Sequence, residues 1–522
     1  MNNFNDRLRA LSPAALRGIR RGIEKESLRV GPDGKLASTP HPAALGSALT
    51  HPFITTDFSE SQLELITGVH SSAEACLEEL TRIHQVVHRQ LGEEMLWCAS
   101  MPCGLPGDDC IPIGRYGNSN VGRAKTVYRL GLAHRYGRRM QAISGIHYNF
   151  SLAGIESPNV AYFSLIRNFR RHSWLLLYLF GASPSVCTSF VEGRAHELVE
   201  LKPGTMYRPG ATSLRMGPLG YQSDAQASLA VSYNNRESYA ASLQDALTRP
   251  YPAYEAIGVR EPGVEGEGVE SYRQLGTTLL QIENEFYGTI RPKCVIRRGE
   301  RPLHALRERG VEYVEVRLMD LNPFEPVGIS TGTMRLLDIF LLHCLLSDSP
   351  PDSPEEISAN GRNQHRVALG GRDAGLLLER DAQEAALSAW GGQLLDECEP
   401  IAAALDAAHG GSGYRDALAA ALNALDDPEL LPSARVLKAM QQDADDVYVR
   451  FVIQQSRLHR ATIAGLPLPA GVEAEFARTA GQSITAQAQI EAEDTMPFEI
   501  YRQQYLSPSR LEVTTPGSDD PV

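Results

Sequence analysis

Six residues able to hold a hard cation are scattered along the chain: Glu24 and Glu26 in RGIEKESLRV, Asp57 and Glu64 in TTDFSESQLELIT, His147 in SGIHYNFSL and Glu315 in VEYVEVRLMD. Each falls on a short segment that reads as a β-strand or a strand end. A strand turns alternate side chains to one face, so Glu24 points with Glu26, and Glu315 with Arg317. His147 and Asn149 share one face, while Ile146, Tyr148, Phe150 and Leu152 share the other. Carboxylates crowded on one face repel and are costly to desolvate. Several such pairs on different strands imply a positive group between them, and hard divalent cations holding a nucleotide's phosphates fit best.

The elements that must carry these residues are strands at 19–30, 62–67, 143–152, 278–287 and 311–319, with helices at 73–95 and 158–180. In the first helix Cys76, Leu77, Leu80, Ile83 and Val87 recur at helical spacing. Long, irregular stretches separate the strands, which favours an α+β fold with an antiparallel sheet over a doubly wound parallel one. Residues 1–347 read as the catalytic core. Ser349-Pro350-Pro351 and Ser353-Pro354 mark 348–375 as a linker or surface excursion. Residues 376–506 read as a mostly helical region packed on that core, and 507–522 as a disordered tail.

The composition, 43% hydrophobic and 22% charged over 522 residues, is that of an ordinary globular protein. A net charge of −13 opposes a nucleic-acid partner. The cluster Arg167, Arg170 and Arg171 reads as a solvated helix face. The longest apolar run, Trp174–Phe180, is too short to span a bilayer, and no apolar segment follows Arg7 and Arg9, so a cytoplasmic protein away from the membrane is expected. None of the eight cysteines forms C-x-x-C, which leaves no zinc or redox motif. A Cys103–Cys110 disulfide is one reading, and free thiols in a reducing cytoplasm are preferred to it. There is no phosphate-binding GxxxxGK[ST] and no GxSxG elbow, and Gly263, Gly266 and Gly268 read as a loop.

Eight segments in chain order then carry a resemblance. They are RGIEKESLRV, LGSALTHPFITTDFSE, SGIHYNFSL, YLFGASPSVC, TSLRMGPLGY, LQIENEFYGTIRPK, VEYVEVRLMDLNPF and EDTMPF, spanning residues 21 to about 498. Together they resemble the proteobacterial glutamate–cysteine ligase family. The resemblance implies one continuous catalytic unit of the glutamine-synthetase-like superfamily. Its curved, mainly antiparallel sheet forms a saddle, with ATP and metals on one side of a funnel and amino acids on the other. It implies ligation of the γ-carboxylate of glutamate to the α-amine of cysteine through a γ-glutamyl phosphate, the first step of glutathione synthesis. Two or three Mg²⁺ ions, with Mn²⁺ as a substitute, would be held by Glu24, Glu26, Asp57, Glu64, His147 and Glu315. Arg317 is the implied phosphate-stabilising catalytic residue, assisted at the nucleotide by Arg291 and Lys293. Gln141, Asn149 and Arg215 resemble glutamate-site residues, and Phe58, Tyr128, Arg129, Tyr221 and Tyr287 the cysteine pocket. Glutathione is the implied feedback inhibitor. The base that deprotonates the amine is not identified.

Two other readings stay open. A glutamate–amine ligase of the same superfamily would keep the chemistry and change the acceptor, but a polyamine site should be lined by carboxylates, whereas Arg129 suits an acceptor with its own carboxylate. A catalytically dead metal or nucleotide sensor would show gaps in the ligand set, and none is found.

Overall fold

Strand β1 (Ile19–Val30) is the hub of the structure, a computed structural model that describes residues 4–512 apart from 221–223, 228, 265, 267 and 298. It pairs on one side with β3 (Gln62–Ile66) and on the other with β5 (Ile146–Leu152), both antiparallel. The sheet continues outward to β2 (Ile54–Thr56) at one edge, and through β10 (Tyr313–Met319) to β9 (Ile290–Lys293) at the other. β4 (Met95–Leu96) pairs with the end of β1 and completes seven strands. β9 tolerates Pro292 because an edge strand leaves one row of backbone groups unpaired.

The two faces of this sheet differ as the alternation requires. On the back face Ile23, Leu63, Leu65, Tyr148, Phe150, Val314 and Val316 are fully buried. Helices Ala73–Gln90, Pro158–His172 and Trp174–Phe180 pack against it. Helix Thr331–Leu346 joins through Asp338, which takes a 2.7 Å ion pair from Arg21 and a 2.7 Å hydrogen bond from the Tyr148 hydroxyl. Burying each large apolar side chain is worth about 1.5–3 kcal/mol, so the back face anchors strands whose front face carries repelling carboxylates.

A second sheet orders β6 (Ser185–Cys187), β8 (Thr205–Tyr207) and β7 (Val199–Lys202). A hairpin of β11 (Leu377–Arg380) and β12 (Gln383–Ala386) turns at Asp381 and Ala382, both at positive φ, as a tight two-residue loop demands. Helices then dominate to Leu506, and the one from Leu387 stops at His409 with Gly410 at φ 87°. Among the described residues the architecture is thus mixed helix and antiparallel sheet, with no closed barrel.

Several expectations are corrected. Residues 278–287 form no strand. Gln281 and Glu285 side chains take the backbone N–H groups of Leu275 and Gln281 at 2.8 and 2.7 Å, so the segment closes on itself in a short 3₁₀ turn, Glu283–Glu285. The helix expected at 158–180 is broken at Ser173. The stretch 348–375 is mostly a helix, Pro354–Gly370, because Ser353 caps it and Pro354 takes its first position. Of the tail, Pro508–Leu511 forms a 3₁₀ turn with Leu511 buried, while 513–522 lie outside the described residues. Arg167 is buried, and Arg170 and Arg171 pair with Asp352 and Glu356, so that cluster anchors the first turn of the 354–370 helix and the residues just before it instead of facing solvent.

The cysteine pairing also differs. Cys103 is joined to Cys187, 84 residues away, and Cys110 is an exposed free thiol. Proximity in sequence did not place the two side chains together; the fold brings the loop after β4 to the end of β6. Among the described residues no helix is long and apolar enough to cross a membrane.

Candidate functional site

Strand register assembles the front face. Glu26 stands directly opposite Glu64 on β3, and Glu24 opposite His147 on β5. Glu315 on β10 stands opposite Asn149 on one side and Arg291 on the other. The β10–β5 ladder shifts register between Val316 and Met319. Arg317 lies in that irregularity, the kind of bulge that re-aims a side chain next to a site. Asp57 and Phe58 follow β2 in the turn that leads to β3.

All of these front-face side chains except Asn149 line one polar cavity of about 210 Å³. In its wall His147 lies 3.2 Å from Glu24, 3.7 Å from Glu26 and 3.9 Å from Glu315. Lys293 and Arg317 each pair with Glu315, at 3.1 and 3.0 Å. Asn149 donates to Glu24 at 2.9 Å, and the Gly145 N–H donates to Glu26 at 2.7 Å.

The carboxylates are not equivalent. Burial alone would raise Glu315, but Lys293, Arg317 and His147 hold it well below the ordinary carboxylate range. Burial and Glu315 push Glu24 up, yet His147 and Lys293 outweigh them and keep it low. At the other end of the row, burial and then Asp57 push Glu26 up to about 8. Burial, with Glu24, Asp57 and Glu26, raises Glu64 well above its ordinary value. Burial and Arg317 hold His147 below its usual value, which keeps a neutral, metal-competent imidazole at neutral pH.

This donor set fits a hard divalent cation. Oxygen donors dominate, ligand atoms of Glu24, Glu64 and His147 lie within 4.8 Å of one another, and Glu26 and Glu64, both raised, are carboxylates whose ionisation added positive charge would favour. The buried Asn149 Oδ1 beside them has no hydrogen-bond partner. A second His/Glu group, Glu300, His304 and Glu308, is more exposed, and its carboxylates are tied to Arg309 and Arg297.

The pH dependence follows from these shifts. Glu26 keeps a proton in the folded state between its ordinary value of 4.5 and about 8, where the unfolded chain has lost it. Its contribution to stability is therefore present below pH 4.5 and is lost as pH rises through 8. Glu24 and Glu315 have the opposite sign and act only at more acidic pH. Thermal melts in chelator should show wild type losing stability relative to Glu26→Gln between pH 5 and 8; a constant difference would refute the assignment.

The opposite wall is helix Asn120–Tyr136, which supplies Lys125, Tyr128, Arg129 and Leu132 to the cavity. Arg129 is fixed by bonds to the carbonyls of Asp57 and Lys125. Gln141 donates to the Tyr287 hydroxyl at 2.7 Å. Tyr287 is set by Gln226, which accepts its N–H at 3.0 Å and donates to the Glu285 carbonyl. The EDTMPF segment clamps the start of the same helix. Asp494 and the Met496 carbonyl accept from Asn120, and Phe498 is fully buried against the helix.

Of the residues singled out in the sequence, all but three line this cavity. Asn149 stands between Glu24 and Glu315 without reaching the cavity wall. Arg215 is buried one layer behind, bonded to the Arg317 carbonyl at 2.9 Å and 3.8 Å from Asp320. Tyr221 lies outside the described residues. Sequence reasoning missed Thr55, Thr56, Lys125, Leu132 and Asn284. For Lys125 a signal was available, its i,i+4 spacing from Arg129 on one helix.

Comparison with known proteins agrees with this geometry. The family model described as glutamate-cysteine ligase matches residues 7–367. A glutamate–cysteine ligase from Alcanivorax borkumensis is 46% identical over 97% of this chain and 100% of its own. One from Pseudomonas entomophila is 48% identical over 93% of each. Among solved structures, a Francisella tularensis glutamate–cysteine ligase in complex with AMP superposes with a TM-score of 0.88 at 37% identity, covering 94% of this chain and 98% of that one. A bifunctional glutathione synthetase from Pasteurella multocida gives a TM-score of 0.67 at 28% identity, covering 87% of this chain and 54% of that one. Homology over nearly the whole length and a cavity built from the matching segments lead to one assignment: the chain belongs to the glutamate–cysteine ligase family.

Proposed function

We propose that the protein joins the γ-carboxylate of L-glutamate to the α-amine of L-cysteine at the expense of ATP, releasing ADP and phosphate. The observation that carries this reading is the single cavity in which a carboxylate–histidine cluster lies between two groups of cations. The antiparallel sheet order supports placement in the glutamine-synthetase-like superfamily. Glu24, Glu26, Asp57, Glu64, His147 and Glu315 would hold Mg²⁺, or Mn²⁺ in its place, which neutralises charge on the nucleotide's phosphates when bound.

The chain's own residues do the remaining work. Arg317, with Lys293 and Arg291, faces the phosphate end and receives the negative charge that gathers as the glutamate γ-carboxylate attacks the terminal phosphoryl group. Gln141 and Asn149 would orient glutamate, with Arg215 acting from behind through the Arg317 backbone. The resulting γ-glutamyl phosphate then meets the acceptor amine, whose carbon–nitrogen bond forms as phosphate leaves. Phe58, Tyr128, Arg129 and Tyr287 would enclose the acceptor, and Tyr221 belongs with them by family resemblance alone. Positioning supplies most of the rate, and no protein nucleophile is required. Glutathione, which carries the same γ-glutamyl group, would compete with glutamate. A polyamine acceptor is disfavoured, because the acceptor wall presents Lys125 and Arg129.

The test is product analysis with Mg²⁺, ATP, glutamate and cysteine. γ-Glutamylcysteine, ADP and phosphate should appear together, with 2-aminobutyrate able to replace cysteine because the thiol is not the nucleophile. AMP and pyrophosphate in place of ADP and phosphate would refute the acyl-phosphate route.

A further inference from the structure

We infer that Lys125 is a specificity-determining residue that seats the α-carboxylate of the acceptor amino acid together with Arg129. The assignment rests on the ligase reading above and deepens it. At the β9–β10 end of the cavity, Lys293 and Arg317 pair with Glu315 at 3.1 and 3.0 Å, and Arg291 bonds to the Asn284 carbonyl at 3.0 Å. Lys125 lines the same cavity, yet its ammonium has no carboxylate within 4.0 Å and no hydrogen bond among the described residues.

Lys125 stands four residues before Arg129 on one helix, a spacing at which like charges destabilise. Both cations lie over the same ring, Tyr116, at 5.1 and 4.5 Å from its centroid. Tyr116 is itself fixed, buried and bonded to the Asp57 carbonyl at 2.6 Å. Arg129 has its fork turned by the carbonyls of Asp57 and Lys125. Glu64 and Asp57 attract Lys125 only from beyond 4.0 Å, and two cations converging on a rigid platform with no directly paired carboxylate make a seat for an anion.

Strand order says which anion. Lys293, Arg291 and Arg317 stand on β9 and β10, at one end of the sheet, whereas Arg129 is bonded beside Asp57 at the β2–β3 end. The phosphates belong to the first group. The second is left for an anion on the acceptor, whose reacting amine carries a carboxylate on the neighbouring carbon. If Lys125 served only to balance the acidic cluster, a direct pair like that of Lys293 with Glu315 would be expected.

The experiment compares cysteine with cysteamine, the same acceptor without its carboxylate, at saturating Mg²⁺–ATP and glutamate. Wild type should prefer cysteine. Lys125→Met should reduce the ratio of kcat/KM for the two acceptors roughly tenfold or more, the usual weight of one charge-assisted hydrogen bond. The change should lie in KM for cysteine, with KM for glutamate moving less than about twofold. Lys125→Arg should keep most of the preference. Equal losses with both acceptors would overturn the assignment and indicate charge balance or proton transfer instead. So would a rise in KM for glutamate as large as that for cysteine. Absence of γ-glutamylcysteine in wild type would overturn the ligase reading itself, a different result from equal losses in an active enzyme.

Discussion

If Glu315 and Glu64 hold metal as proposed, Glu315→Gln and Glu64→Gln should each lower kcat at least about a hundredfold, since groups that merely orient metal ligands already cost ~10–100-fold. The two substitutions should nevertheless move the metal-free protein in opposite directions. Glu315 is ionised and held by Lys293 and Arg317 at 3.1 and 3.0 Å. Its amide would forfeit two charge-assisted bonds, so the melting temperature in chelator should fall. Glu64 has no cation within 4.0 Å among the described residues and sits directly opposite Glu26, with burial and like charge raising it. Carboxylates facing one another across a strand pair are destabilising, so Glu64→Gln should leave the melting temperature unchanged or raise it. In both variants the stabilisation added by Mg²⁺–ATP should shrink, because that stabilisation grows with the logarithm of the ligand's affinity for the folded state. Melting temperatures with and without Mg²⁺–ATP, and kcat from the same preparations, check all three statements. Full activity in both variants would remove these residues from the metal site.

That contrast was not visible in the sequence, where the six ligands stood as one set. Alternation along 146–152 and 313–319 was enough to separate a buried face from a reactive one, because the two faces differ sharply in chemistry: Tyr148 and Val316 on one side, His147 and Glu315 on the other. It could not reveal that Glu315 has Lys293 as a partner while Glu64 has Glu26, since that depends on which strands become neighbours. The same reasoning failed at 278–287, where Gln281 and Glu285 satisfy the backbone locally and remove the need for a ladder. Lys125 escaped notice for another reason. Helix 120–136 has almost no amphipathic contrast, because its cavity-facing side mixes Tyr128 and Leu132 with Lys125 and Arg129. The Cys103–Cys187 link lay beyond local reading altogether, for the partner is brought up by a second sheet.

Arg317→Ala should lower kcat by more than about a hundredfold with a smaller effect on KM for ATP. The guanidinium reaches the cavity from the register shift in β10, donating to Glu315 at 3.0 Å and lying 3.4 Å from His147. In the ground state its charge is largely spent on Glu315. On the proposed reading, negative charge gathers at that end of the cavity as the terminal phosphoryl group is attacked, and a planar fork that can bridge two oxygens gains most there. An interaction stronger in the transition state acts on kcat more than on KM. Two such bonds at about 1.5 kcal/mol each amount to roughly 3 kcal/mol, a little over a hundredfold. Arg317→Lys keeps the charge but loses the fork, and should retain activity reduced by roughly tenfold, the weight of one bond. A purely structural arginine gives a different pattern. Glu315 would be left with Lys293 alone, the melting temperature would drop, and the enzyme that remained folded would keep near-normal kcat. Both effects are expected in Arg317→Ala, so the decisive quantity is kcat per folded molecule, obtained by active-site titration at a temperature well below the variant's melting point. A normal value there would assign Arg317 to the sheet and return the phosphate end to Lys293 and Arg291.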